Sequence, residues 1–301
     1  AVEQARLIFD KPLEHTHGEG EYVSAEFVRY RWYPDVQFGT AYFHDHVHAT
    51  SSWRHGLFGA LIAEPPGATY HDPQTGAELR SGPLADIRTA SVVSPDIEGS
   101  FRELVMFIQD DNPVTRVGRS SGSSLNLRVE PLAGRSGDPS MLFSSLAHGD
   151  PATPILRAYG GDPLVIRTLV AATNDVHTWH GDGQWFRREA FSLNSQPTTT
   201  LHVGISERFD LMIPRAGGSL GLPGDYLYHN GRSFKLREGS WGIIRVLPAD
   251  GEAKLQRLPG REAVAQRPAA LCPADAPAKA FSVAAVEAPL PMLGGGLGRV
   301  Y

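Results

Sequence analysis

Cysteine is almost absent from this sequence: Cys272 is the sole one in 301 residues. A single thiol excludes an internal disulfide and any cysteine-rich zinc site. No apolar run approaches the roughly 20 residues needed to span a bilayer. No charged n-region followed by an apolar h-region marks a secretory signal. The first residue is Ala1 rather than Met, so the expectation is a processed chain or a part of something longer. Basic runs are missing as well. With 28 Lys and Arg against 33 Asp and Glu, the formal net charge is −5, and nucleic acid is not an expected partner. Nor does any long segment carry a 3.6-residue apolar period, which argues against a helical architecture.

What the chain does contain is turn residues and short apolar runs. There are 32 glycines and 23 prolines, scattered between segments rich in Val, Ile, Tyr, Phe and Trp. Nine runs read as strands: AEFVRYRWY (25–33), GTAYFHDHV (39–47), GLFGALIAEP (56–65), ELVMFIQD (103–110), PILRAYG (154–160), PLVIRTLV (163–170), ERFDLMIP (207–214), DYLYH (225–229) and SWGIIRVLP (240–248). Each is bounded by Gly, Pro, Asn or Asp. The expected class is all-β, most simply antiparallel sandwiches. Residues 66–100 are polar and turn-rich and read as a long connection. Residues 101–248 are about one sandwich long. Residues 1–65 look like the last part of a sandwich without its opening strands. Residues 249–301 read as a linker followed by the start of a further domain or a disordered tail.

Histidine supplies the first chemical signal. Four of the twelve histidines fall between Tyr42 and Pro65, in YFHDHVHATSSWRHGLFGALIAEP. His44, His46 and His48 are spaced by two. On a strand that spacing projects all three imidazoles from one face, with Phe43, Asp45 and Val47 on the other. Neutral imidazole is the commonest transition-metal ligand. Surface histidines beside a turn are the alternative, but the apolar segments on both sides place the cluster at the end of a buried strand. Asp45 reads as a hydrogen-bond acceptor at the strand end rather than a ligand. His55, in the loop before Gly56, is a further candidate from outside the strand.

GTAYFHDH followed by GLFGALIAEP resembles the second histidine motif of multicopper oxidases, G-T-x-x-x-H-x-H and then G-L-x-G-x-L-I-V-E-P. The resemblance implies tandem cupredoxin-like Greek-key β-sandwiches, the first incomplete, and copper as cofactor. It assigns His44 and His46 to the paired type 3 coppers of a trinuclear cluster. A cupin would share the HxH but needs a Glu a few residues on, and none follows before Glu64. Residues 162–183, DPLVIRTLVAATNDVHTWHGDG, are similar to the family's H-P-x-H-L-H-G, whose histidines serve type 1, type 2 and type 3 copper in that order. His177 and His180 match the first two, and Asp182 stands in place of the third. Residues 223–247 keep the frame of the last motif, G-D-Y-L-Y-H-C-H. His229 is its first histidine, Asn230 replaces the cysteine and Gly231 the next histidine. The thiolate of a blue copper centre is therefore missing. His15 and His17, in HTHG, are similar to the opening H-x-H-G.

The overall run, about residues 25–285, is most similar in look to the large bacterial multicopper oxidases related to manganese oxidases. RWYPDVQFGTAYFHDH, FRELVMFIQD, HGDPATPILRAYGGDPLVIRTLV and VGISERFDLMIP carry that impression. The resemblance implies an oxidoreductase with O2 as acceptor, incomplete as this chain. Other cupredoxin domains or subunits would complete the copper cluster, in a periplasmic or extracellular setting. A redox-inactive structural or assembly array of cupredoxin domains is the competing reading. A copper nitrite reductase-like protein is disfavoured because it too needs the thiolate.

Overall fold

The structure is a computed structural model. It describes residues 2–8, 24–110, 122–171, 175–249, 255–261, 275–284, 288–291 and 297–300. His15, His17 and Cys272 lie outside the described residues. Two compact units result, residues 1–265 and 266–301. The first begins with β1 (Val2–Ile8), β2 (Ser24–Tyr30), β3 (Gly39–His44), β4 (Phe58–Ala63), β5 (Thr69–His71) and β6 (Leu84–Arg88). A short hairpin, β7 (Val92–Ser94) and β8 (Ile97–Glu98), leads to β9 (Phe101–Asp110) and β10 (Ser123–Leu125). Then come β11 (Ile155–Tyr159), β12 (Leu164–Val170), β13 (His177–Gly181), β14 (Phe186–Arg187) and β15 (Pro197–Thr198). The last four are β16 (Thr200–Val203), β17 (Arg208–Ile213), β18 (Gly224–Asn230) and β19 (Trp241–Leu247). Helices are short: α1 (Ala49–Ser52), α2 (Ser145–His148) and α3 (Ser233–Glu238). In the second unit β20 (Ala288–Pro291) pairs antiparallel with β21 (Leu297–Val300). Among the described residues no helix is long and apolar enough to cross a membrane.

The fold is all-β. One sheet runs β17-β12-β9-β6-β5, with β10 on β9, and the other runs β11-β19-β18-β13-β16. β9 and β12 are parallel, as are β11 and β19. Parallel neighbours cannot be joined by tight turns, so the chain crosses between the layers. Alternation does the rest. Leu104, Met106 and Ile108 of β9 and Leu164 and Ile166 of β12 face Leu156, Trp179, Leu201, Tyr228, Ile244 and Val246 of the other sheet in one buried cluster. The opposite face of the first sheet is covered too, with Ile87, Phe101, Val165 and Met212 in a second cluster. A strand buried on both faces reads as a continuous apolar run, which is why FRELVMFIQD and PLVIRTLV stand out in the sequence.

Residues 66–100 correct the expectation of a plain connection. They carry β5 and β6, and β6 pairs with β9 inside the first sheet. The segment expected to end a first sandwich forms, among the described residues, two-stranded ladders: β1 with β2 and β3 with β4. The β3–β4 ladder rests on the outer face of the first sheet. Buried Arg167 of β12 is its anchor. Its guanidinium pairs with Glu103 at 2.8 Å, with Asp210 at 3.2 Å and with Glu64 just beyond β4. The Thr40 hydroxyl donates to Asp210 at 2.6 Å. Gly39 is obligatory here: its φ is +71°, and a Cβ would lie 2.2 Å from Asp210 Oδ2. Three carboxylates share one guanidinium, and burial, against the pull of Arg167, pushes the Glu64 carboxyl up to about 8.

Candidate metal centre

β13 and β18 lie side by side in the second sheet, with His180 opposite His229 and Trp179 opposite Asn230. Their pleat sorts the motif residues onto two faces. His177 and Asn230 point into the sandwich and are buried, whereas His180 and His229 are partly exposed on the other side. His177 and His180, matched in sequence to the type 1 and type 2 histidines, are three positions apart on β13 and emerge on opposite faces.

On the inner face His177 is enclosed. The Asn230 side-chain oxygen accepts from the backbone N–H of Arg232 at 3.0 Å and of Thr178 at 3.4 Å. That orients its amide nitrogen toward His177, where it donates to Nδ1 at 2.7 Å. Nδ1 is thus an acceptor, so Nε2 carries the proton and donates to Asp110 Oδ2 at 3.1 Å. The Lys235 ammonium of α3 reaches the same carboxylate oxygen at 2.7 Å, with Asp175 at 3.5 Å. The side chains of His177, Asp110 and Lys235 are all at most 5% exposed. Asn230 supplies an amide where a thiolate would be needed, and the Lys235 ammonium fills the buried polar space beside the ring. This donor set does not fit a type 1 copper.

The outer face differs. One ligand atom from each of His180, Asp182 and His229 lies within 4.8 Å of the other two. No other group of three or more His, Cys, Asp or Glu meets that criterion among the described residues. His180 Nδ1 meets the Thr200 hydroxyl of β16 at 2.5 Å, and its Nε2 meets Asp182 Oδ1 at 3.0 Å. His229 Nδ1 meets the backbone carbonyl of Asn230 at 3.0 Å. A carbonyl only accepts, so His229 Nδ1 is protonated and Nε2 carries the lone pair. Fixing Nδ1 in this way is what orients a ligating imidazole. The side chains of His180 and Asp182 are 30% and 52% exposed, so water and ions reach them. Two imidazoles and a carboxylate are a donor set that fits a transition metal.

The HDH strand ends sooner than its spacing predicts. β3 stops at His44, and residues 46–48 form bends. His44 and His46 still meet, stacked with centroids 4.6 Å apart, and Trp53 packs edge-on to His44 at 4.1 Å. His44 Nε2 is 3.4 Å from the Ser206 hydroxyl. His48 is corrected: it leaves the strand face and becomes the residue before α1. His55 is turned to its own helix, with Nδ1 2.9 Å from the Ser51 carbonyl. Asp45 accepts from Ser52 Oγ at 2.6 Å and from the N–H groups of His48 and Val47. These bonds, Ser52 first, hold its carboxyl down at about 2, the acceptor role its sequence position suggests.

Three residues of these sites were not anticipated as participants. Asp182 had a signal, since His180-x-Asp182 has the same period of two as His44-x-His46. Lys235 and Asp110 had none, because they come from α3 and from the other sheet.

No protein-family model matches the chain, and no curated protein does. Solved structures do. A multicopper oxidase aligns with a TM-score of 0.43 and 16% identity, covering 76% of this chain and 61% of its own. The blue copper oxidase from Nitrosomonas europaea aligns with 0.40 and 16%, covering 80% and 66%. The copper nitrite reductase from the same organism aligns with 0.43 and 14%, covering 81% and 74%. The chain thus spans less than two thirds of either oxidase. At these values the side chains, and not the likeness, must carry any assignment of chemistry.

Proposed function

We propose that this chain is a copper-binding part of a multicopper oxidase-like oxidoreductase. It contributes histidine ligands to a copper site of the type 2 or type 3 kind and has no type 1 centre of its own. The observation that carries the reading is the sorting of the motif residues. His180 and His229 stand together on an accessible face with Asp182, while the position where a thiolate would be needed is Asn230, inside a closed polar network. Copper, when bound, supplies one-electron exchange between substrate and O2. The chain's own residues hold and orient it: His180 through Thr200, His229 through the Asn230 carbonyl. The stacked His44 and His46 offer a second pair of imidazoles, to which another cupredoxin domain or subunit would add the remaining ligands. A periplasmic or extracellular setting follows from the same reading.

A second reading, a redox-inactive structural or assembly array, draws on the enclosed network around His177. Copper loading followed by dialysis separates the two. The first reading expects copper to be retained by the chain and lost from a His180→Ala/His229→Ala variant. Absorbance should lack the intense blue band of a thiolate–Cu(II) bond. A chain that emerges copper-free supports the second reading.

A further inference from the structure

We propose that His180, Asp182 and His229 form a self-sufficient mononuclear site for a divalent cation, selective for Cu(II) or Zn(II) over Cu(I). This deepens, and rests on, the reading of the same face as a copper site. It differs from that reading in ligand class, in nuclearity and in needing no partner chain.

Three observations carry it. First, all three donors come from two neighbouring strands of one sheet in one chain. His180 lies on β13, Asp182 directly follows that strand, and His229 lies opposite His180 on β18. Second, the chain's own groups position the two imidazoles. Thr200 Oγ1 holds His180 Nδ1, and the Asn230 carbonyl holds His229 Nδ1. Both are the outer partners that a ligating histidine needs. Third, the remaining donor is a carboxylate, 3.0 Å from His180 Nε2. A carboxylate brings a negative charge and a hard oxygen. Soft donors select Cu(I), whereas imidazole with carboxylate suits divalent ions, and a set of two histidines and one carboxylate leaves open positions for water. A third imidazole would have kept the site neutral and softer. Asp182 therefore sets which oxidation state is held more tightly. Thr200 is a positioning residue.

The test uses the full chain, stripped of metal and titrated separately with Zn(II), with Cu(II), and anaerobically with Cu(I) against a chromophoric chelator. Metal content is counted after dialysis, and the Cu(II) form is read by electron paramagnetic resonance. The wild type should retain one divalent ion at this face, with the signal of an isolated Cu(II). Asp182→His should shift the Cu(I) to Zn(II) affinity ratio toward Cu(I) by about tenfold or more, roughly 1.4 kcal/mol. Thr200→Val should weaken Zn(II) binding by about 10–100-fold, whereas Thr200→Ser should restore it. A ratio unmoved by Asp182→His, in a chain whose metal is still lost on His180→Ala/His229→Ala, overturns the selectivity and leaves the copper reading standing. Metal retention unchanged by His180→Ala/His229→Ala overturns both. A coupled, signal-silent copper pair at this face overturns the mononuclear assignment alone. Circular dichroism of each variant separates lost ligands from lost fold.

Discussion

The two faces of β13 and β18 make a controlled comparison within one molecule. Adjacent residues, His229 and Asn230, belong to different chemical worlds because a pleat separates them. The inner face meets Asp110, His177, Asn230 and Lys235, each nearly inaccessible and linked in one chain of polar contacts. The outer face holds His180, Asp182 and His229, partly wet, with ring orientation set by Thr200 and a backbone carbonyl. The difference teaches that one pair of strands can carry a closed polar network on one side and an accessible donor set on the other. Burial decides what each side requires. Inside, a buried carboxylate needs a cation beside it, and Lys235 provides one. Outside, solvent reaches the carboxylate and the imidazole beside it.

The largest expected effect comes from breaking the inner face. Lys235→Met leaves the Asp110 carboxylate buried without its ammonium, and removing one partner of such a pair costs about 3–5 kcal/mol. Urea denaturation should show that loss, and Asp110→Asn/Lys235→Met should recover much of it. Equal stability of Lys235→Met and wild type would mean the network is not a structural lock.

A middle-sized effect belongs to the carboxylate cluster beneath the β3–β4 ladder. Burial raises the Glu64 carboxyl from 4.5 to about 8. Between those values the folded chain keeps a proton that the unfolded chain has released. Stability should therefore fall as pH rises through that window. Asp86, raised by burial to about 6 although paired with Arg102, contributes to the lower part of the same slope. Glu64→Gln should flatten the fall from about pH 6 to 8 and reduce it between about 4.5 and 6, where the Asp86 contribution remains. Thermal melts across that range check this, and an unchanged slope would reassign the proton.

The smallest stability effect is expected where function is concentrated. His180→Ala removes a partly exposed ring outside any core cluster, so stability should change by about 0.5 kcal/mol or less. Metal retention should nevertheless collapse. A large loss of stability with metal retained would invert the roles assigned to the two faces.

Much of the fold was legible. All nine runs singled out by composition contain strands, and those buried on both faces were the clearest. Most of the strands that escaped are short, β6, β13 and β16 among them, and β13 is built from HTWHG, in which histidine and glycine mask the pattern. The site was half legible. Period two exposed the histidines, but which face each would occupy depends on where a strand starts and stops. His48 failed on that point, because Asp45 ends the strand by capping the following turn. Lys235 and Asp110 could not be seen at all, since the contact between them spans 125 positions and joins α3 to β9 only after folding.

The most direct measurement is Cu K-edge X-ray absorption on the copper-loaded full chain. The account predicts nitrogen and oxygen neighbours only, with the multiple scattering of two imidazoles and no sulfur shell, and the same spectrum from a His177→Gln variant. A sulfur neighbour, or loss of the copper signature on His177→Gln while His180→Ala leaves it intact, would contradict it.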